Sequence, residues 1–213
     1  MQIDQLAVEI TRKCNMRCPH CLRGDAQNIN IDPFLFEKFI SLNEITYIGS
    51  LLITGGEPFL NYPVMTKISK YLKRNKIRLG GFYLATNGTV FANDAVKPLI
   101  IFKELVDEEE MFTISISKDE FHENKIHPIW SLINTSFRET KREHVIAEGN
   151  GKDINPDGRT IKDDEWVWDE GDLMEGMVYI NAKGMVCKSC DYSYDSQEKH
   201  NIGHCLSKRL IDM

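Results

Sequence analysis

The chain lacks any apolar run near the roughly 18 residues that suggest a membrane-spanning helix. Its start, MQIDQLAVEITRKC, has no basic stretch leading into a long apolar one. The first absence argues against a membrane protein and the second against a signal peptide, so a cytoplasmic protein is expected. Positive charge is also scarce, with 26 Lys and Arg against 32 Asp and Glu and a formal net charge of −6. That balance provides no broad positive surface, and nucleic acid is not expected as a partner. There is no internal repeat and no low-complexity tract in the 213 residues, and no cysteine between Cys21 and Cys187. What remains, 42% hydrophobic and 27% charged residues, suits a globular chain that buries a real core. The length favours one domain, or one domain with a small appendage.

The six cysteines stand in two groups, Cys14, Cys18 and Cys21, then Cys187, Cys190 and Cys205. Without an export signal, such grouping reads as metal or cofactor ligation before disulfides. Thiols packed as small hydrophobes need no fixed spacing, and the first group lies in a polar stretch, TRKCNMRCPHCLRGD. Three thiolates on one loop can hold a 4Fe–4S cluster and leave one iron open. A tetrahedral zinc would take His20 as a fourth ligand, and the spacing alone admits both.

Residues 5–10 are β-prone and lead almost directly into the first cysteine loop. Asp32 and Pro33 supply a cap and a first-turn proline for a helix carrying Phe34, Phe36, Phe39, Ile40 and Leu42. A dense apolar run over 48–53 ends at Gly55-Gly56 as a buried strand and its turn. The pattern continues with a helix over 61–73, a strand over 81–85 closed by Asn87-Gly88, and a helix over 94–107. A strand over 111–115 and a helix over 128–144 follow. Alternating strands and helices of this kind build βαβ units around a parallel sheet, with sites at the strand-to-loop junctions. From about 148 to 176 the pattern dissolves into an acidic, turn-rich connection, and one last strand is expected over 178–181.

The run Cys14-Asn15-Met16-Arg17-Cys18-Pro19-His20-Cys21 is similar to the C-x₃-C-x-Φ-C motif of the radical S-adenosylmethionine (SAM) superfamily, with His20 at the usually aromatic place. Thr54-Gly55-Gly56-Glu57-Pro58 resembles that superfamily's GGEP motif, Ala85-Thr86-Asn87-Gly88 its TNG and Ser115-Ile116-Ser117-Lys118-Asp119 its S-x-D element. The resemblance covers about the first 120 residues. It implies that Cys14, Cys18 and Cys21 hold three irons of a 4Fe–4S cluster while SAM chelates the fourth. Reductive cleavage of SAM to a 5′-deoxyadenosyl radical would then be followed by hydrogen abstraction from a substrate. Gly55 and Gly56 would let the cofactor approach their amides, and Glu57 would accept from the SAM ammonium. Asn87, Ser115, Ser117 and Asp119 are candidates for the ribose hydroxyls and the methionine end, and Arg159 for the SAM carboxylate. His122 is the candidate for hydrogen bonding or proton transfer at the site.

Toward the C-terminus, NAKGMVCKSCDYSY and the later Asn201-Ile202-Gly203-His204-Cys205 look like a shortened SPASM or twitch extension. Such extensions carry more cysteines over a longer segment. Cys187 and Cys190 form a half-site that Cys205, with His200 or His204, would complete for an auxiliary iron–sulfur cluster or a zinc. A strand that merely caps the sheet is the alternative.

The expected architecture is an α/β partial parallel (β/α)6-type barrel over residues 1–176, with a short cysteine-containing extension over 177–213. The expected activity is that of a radical SAM enzyme acting on a peptide or protein, with flavodoxin or ferredoxin as electron donor. A small metabolite or nucleotide is the alternative substrate. A glycyl-radical-enzyme activase is disfavoured by the extra cysteines, and a non-catalytic metal-binding redox module is the competing class.

Overall fold

Residues 2–11 bury almost completely toward their end, as a central parallel strand flanked on both sides does. They form β1 (Gln2–Thr11) in a computed structural model that describes residues 1–18, 21–117, 126–132, 136–138, 167–168, 173–190, 192–207 and 209–212. The chain then runs through α1 (Pro33–Leu42), β2 (Tyr47–Gly55), α2 (Tyr62–Arg74), β3 (Arg78–Thr86), α3 (Val96–Leu105) and β4 (Phe112–Ser117). It continues with β5 (Ser136–Arg138), β6 (Val167–Trp168), β7 (Leu173–Ile180), β8 (Met185–Cys187), α4 (Tyr194–Lys199) and β9 (Gly203–His204).

The sheet order is β5-β4-β3-β2-β1-β7-β8-β9, with β6 on the side of β7. Strands β1 to β5 and β7 pair in parallel, while β6, β8 and β9 are antiparallel additions. Among the described residues the sheet does not close, so the architecture is the partial barrel expected.

One face of the sheet packs on the helices. Leu6, Val8, Ile10, Leu51, Ile53 and Phe82 share a core with Phe36, Phe39, Ile68, Leu72 and Phe102. Each such side chain contributes about 1.5–3 kcal/mol by leaving water. Asp32 caps α1 by accepting from the Phe34 amide at 3.0 Å, with Pro33 in the first turn. No helix among the described residues is long and apolar enough to cross a membrane.

Two features differ from the sequence reading. The helix expected over 128–144 is instead a 3-10 turn at Pro128–Ser131 followed by β5 on the edge of β4. The reason is tertiary. The turn drives Trp130 into the core against Phe59 and Phe91, where its indole donates to the Gly88 carbonyl at 3.0 Å. The C-terminal segment is also no mere appendage. β7 pairs in parallel with β1 and runs across residue 176, and Ile180, Ala182, Val186, Cys205 and Leu210 belong to the main core.

Candidate functional site

The C-terminal ends of β1, β2 and β3 converge on the loop that follows β1. That loop is closed at its base, where Thr11 and Asn30 form a bridge and the Thr11 hydroxyl donates to the Asn30 side chain at 2.7 Å. Cys14, Cys18 and Cys21 line one pocket of about 50 Å³ together with Gly55, Gly56 and Tyr194. All six cysteines are free thiols.

Three sets of contacts hold the loop. The first comes from the turn after β2. Gly56 and Glu57 donate their amides to the carbonyls of Thr11 and Lys13, each at 2.8 Å. A Cβ at Gly55 would stand 2.3 Å from the Thr11 carbonyl oxygen, and one at Gly56 2.3 Å from that of Lys13. These glycines are therefore required by the close approach of the cysteine loop's own backbone, and the Gly56 amide expected to face a ligand is spent on that loop.

Glu57 makes contacts that the sequence did not reveal. Its carboxylate is fully buried and accepts from the Phe59 amide at 3.0 Å, the Thr86 hydroxyl at 2.8 Å and the Asn87 amide at 2.8 Å. It joins the β2 turn to the β3 turn. Burial pushes its pKa up to about 7, while those three donors pull the other way. A carboxyl raised in the folded state stabilises the fold most at low pH, below its unfolded value. That contribution is lost as pH rises from about 4.5 to about 7. Glu57→Gln is expected to flatten this part of the stability profile. The check is thermal unfolding of both proteins at pH 5 and pH 8. An equal pH-dependent change in the two proteins would remove Glu57 as its source.

The second set comes from the β3 turn. Asn87 donates to the Asn15 side chain at 3.0 Å and approaches the Cys14 sulfur at 3.8 Å, and Asn15 donates to the Thr89 hydroxyl at 2.7 Å. Gly88 follows at φ +69°, a left-handed conformation that costs little only without a Cβ. Asn87 thus stands beside the first cysteine. Ser115 is buried and Ser117 half-buried near the end of β4, with Ser115 paired to Ala85 of β3.

The third set was not anticipated and comes from the C-terminal segment. Glu9 and Arg12, both fully buried, form an ion pair at 2.7 Å. Arg12 also donates to Gln27 at 3.0 Å and Gln197 at 2.7 Å, and its guanidinium lies 4.5 Å from the Tyr194 ring centroid. Glu9 accepts from the Tyr179 hydroxyl at 2.5 Å, the Ala182 amide at 3.0 Å and Gln197 at 3.0 Å. Arg23 reaches across to the Tyr192 carbonyl at 2.6 Å, and the Tyr194 amide donates to the Arg23 carbonyl at 3.1 Å. A buried charge pair tolerated at this depth needs each remaining hydrogen-bonding position filled, and here the partners come from β7, the turn after it, α4 and, through Gln27, the loop itself. The signal in the sequence was slight: Arg12 and Arg23 bracket the cysteine run.

The donor set suits an iron–sulfur cluster in type and number, since three soft thiols share one pocket. Burial, with the charges of Glu57 and Cys21, pushes the Cys14 thiol pKa up against the Met16 and Asn87 donors. A cationic metal centre supplies the counter-charge that a thiolate needs there. Among the described residues no three Cys, His, Asp or Glu side chains converge on a single metal ion. The three thiols line one pocket without meeting at one point, and a cluster would take each on a different iron. The second cysteine group is further apart in kind. Cys187 packs with Ala7, Tyr179, Tyr192 and Cys190, whereas Cys205 lies in the main core. Burial raises Cys187 to about 12 and Cys205 to about 11. His20, Asp119, His122 and Arg159 lie outside the described residues.

Comparison with known proteins fits this arrangement. The family model described as "Radical SAM superfamily" matches residues 8–151. A GTP 3′,8-cyclase of Clostridium perfringens (strain 13 / Type A) is 28% identical over 137 residues, covering 60% of this chain and 38% of that protein. The chain thus spans well under half of such a curated relative. Among solved structures, BtrN in complex with AdoMet and 2-DOIA aligns over 99% of this chain and 81% of its own, with TM-score 0.58 and 15% identity. Native anSMEcpe with bound AdoMet and Kp18Cys peptide aligns over 100% of this chain and 80% of its own, with TM-score 0.60 and 12% identity.

Proposed function

The chain belongs to the radical SAM superfamily, whose members use a 4Fe–4S cluster and SAM, and from that premise we propose that it is an enzyme of reductive SAM cleavage that abstracts hydrogen from a peptide or protein. The observation that carries this reading is the single pocket shared by Cys14, Cys18, Cys21, Gly55 and Gly56 at the C-terminal ends of β1 and β2. Cys14, Cys18 and Cys21 are the residues that would hold the cluster. When bound, the cluster supplies the electron for SAM cleavage, and SAM supplies the radical.

The protein's own part is placement. The amides of Gly56 and Glu57 fix the start of the cysteine loop, Asn87 and Asn15 fix its first cysteine, and Arg12 and Tyr194 wall its far side. Ser115 and Ser117 of β4, with Asp119 and Arg159, are the proposed contacts to SAM, and His122 is the proposed proton-handling group. Flavodoxin or ferredoxin is the proposed electron donor.

A sheet that does not close among the described residues is compatible, by fold-level analogy, with a substrate as large as a peptide. A small metabolite or nucleotide is the second reading, favoured by the curated relative named as a GTP 3′,8-cyclase. For the activity itself, the anaerobically reconstituted chain is expected to convert SAM and dithionite to 5′-deoxyadenosine and methionine. Product no greater than in a protein-free control would contradict it and return the chain to a metal-binding redox module.

A further inference from the structure

The concave face of the sheet, turned away from the helices, carries a cavity of about 270 Å³. Gln5 and Ala7 of β1, Ser50 and Leu52 of β2, Tyr83 of β3 and Met177 of β7 line it. They stand on two rungs of the sheet. Gln5 pairs with Ser50 on one side and Met177 on the other, and Ala7 pairs with Leu52, which pairs with Tyr83. Continuing along β1, the next inward rung is Glu9 with Thr54, and Thr11 then enters the cysteine loop. At about 3.3 Å per residue, the Ala7 rung lies roughly 13 Å along the strand from Thr11. The cavity and the cysteine pocket therefore lie in line, one deeper along the strands than the other.

The lining is of one chemical kind. Among the described lining, Ala7, Leu52 and Met177 present aliphatic and thioether surface, while Gln5, Ser50 and Tyr83 carry an amide, a hydroxyl and a phenol. The described lining includes no Lys, Arg, Asp or Glu. A charged group brought here would find no counter-charge among the described lining residues. The volume is slightly below the roughly 300–1,000 Å³ of pockets that enclose whole drug-sized ligands. It suits one side-chain-sized group. The apolar wall is also backed by packed structure, because Ala7, Leu52 and Met177 cluster with Tyr179, Cys187, Cys190 and Tyr192.

We propose that this cavity selects the substrate by an uncharged, side-chain-sized group, apolar along its body and ending in a hydroxyl or amide that Gln5, Ser50 and Tyr83 recognise. The inference rests on the reading that substrate enters the concave face. The group can be borne by a peptide or by a free small molecule.

The test uses the full chain carrying ¹³C-methyl methionine, with the Met177 signal assigned from a Met177→Leu variant. Added 4-methylphenol is expected to shift the Met177 methyl resonance saturably, and 4-methylbenzoate to bind at least about tenfold more weakly. Tyr83→Phe and Ser50→Ala should each weaken 4-methylphenol roughly 2- to 10-fold, as loss of a neutral hydrogen bond does. The other methionine methyl signals report whether each variant is folded. Equal binding of phenol and carboxylate, or no Met177 shift with either, overturns the proposal, as does unchanged affinity in both folded variants. Tighter binding of N-acetyl-tyrosine methylamide than of 4-methylphenol assigns the group to a peptide, and weaker binding to a free molecule. None of these measurements needs the cluster or SAM. Probe binding without 5′-deoxyadenosine formation therefore overturns the functional reading alone, and 5′-deoxyadenosine formation without probe binding overturns this one alone.

Discussion

Replacing any one of Cys14, Cys18 and Cys21 by alanine is expected to abolish cluster assembly and SAM cleavage together. The three thiols line one pocket, and a cluster that keeps one iron open for SAM has no protein ligand to spare. Asp25 also lines the pocket, but a hard carboxylate is a poor replacement for a thiolate on iron–sulfur iron, and Cys190 packs with Cys187. Cys187 and Cys205 are buried in two other packing clusters, His200 stacks on Tyr192 and His204 bonds back to the Lys183 carbonyl. The fold itself should survive, because the cysteines are only half-buried and the loop is fixed by its backbone and by Arg12. Iron analysis, the visible absorption of the reconstituted protein and 5′-deoxyadenosine formation give the readout. A single variant with full iron and full cleavage contradicts the ligand assignment.

The second large effect is expected at the buried pair beneath that loop. Glu9→Gln or Arg12→Met leaves one charge in the interior without its partner, which costs about 3–5 kcal/mol. For a chain of this size that is a fall of roughly 6–20 °C in Tm. The double replacement Glu9→Met/Arg12→Met should lose less than the sum of the two single Met variants, because no orphan charge remains. Denaturant unfolding of the wild type, the single variants and the double variant measures the coupling. Single-variant losses below about 1 kcal/mol would mean that solvent reaches the pair and that the C-terminal segment does not clamp the loop.

The strands and helices up to β4 were legible because apolar stretches stand between clear turn residues. Ile48, Leu51 and Ile53, buried in the core ahead of the Gly55-Gly56 turn, are an example. Residues 128–144 were not, since local periodicity says nothing about Trp130 docking beneath Gly88. The site was legible as a set of motifs, and less so in what each motif touches. Gly55, Gly56 and Glu57 were read as facing a ligand, yet their nearest demands come from the cysteine loop and the β3 turn. Short-range sequence patterns identify residues that need closeness or charge but not the partner. The clamp was least legible of all. Nothing in the local pattern around Glu9 and Arg12 marks a buried pair, and their partner Gln197 lies 188 and 185 residues away in the chain. The second cysteine group shows the converse. A spacing that suits a metal site is built here on a strand end and a turn, with Cys187 and Cys205 drawn into separate apolar clusters.

The central claim is that the three-cysteine loop, held from three sides, presents a cluster with one iron open to SAM. Electron paramagnetic resonance of the anaerobically reconstituted, dithionite-reduced full chain, recorded with and without SAM, tests it most directly. The account predicts a reduced 4Fe–4S signal whose g-values change on adding SAM and do not change on adding methionine-free adenosine. A reduced-cluster spectrum identical with and without SAM, or no iron–sulfur signal at all, would contradict it.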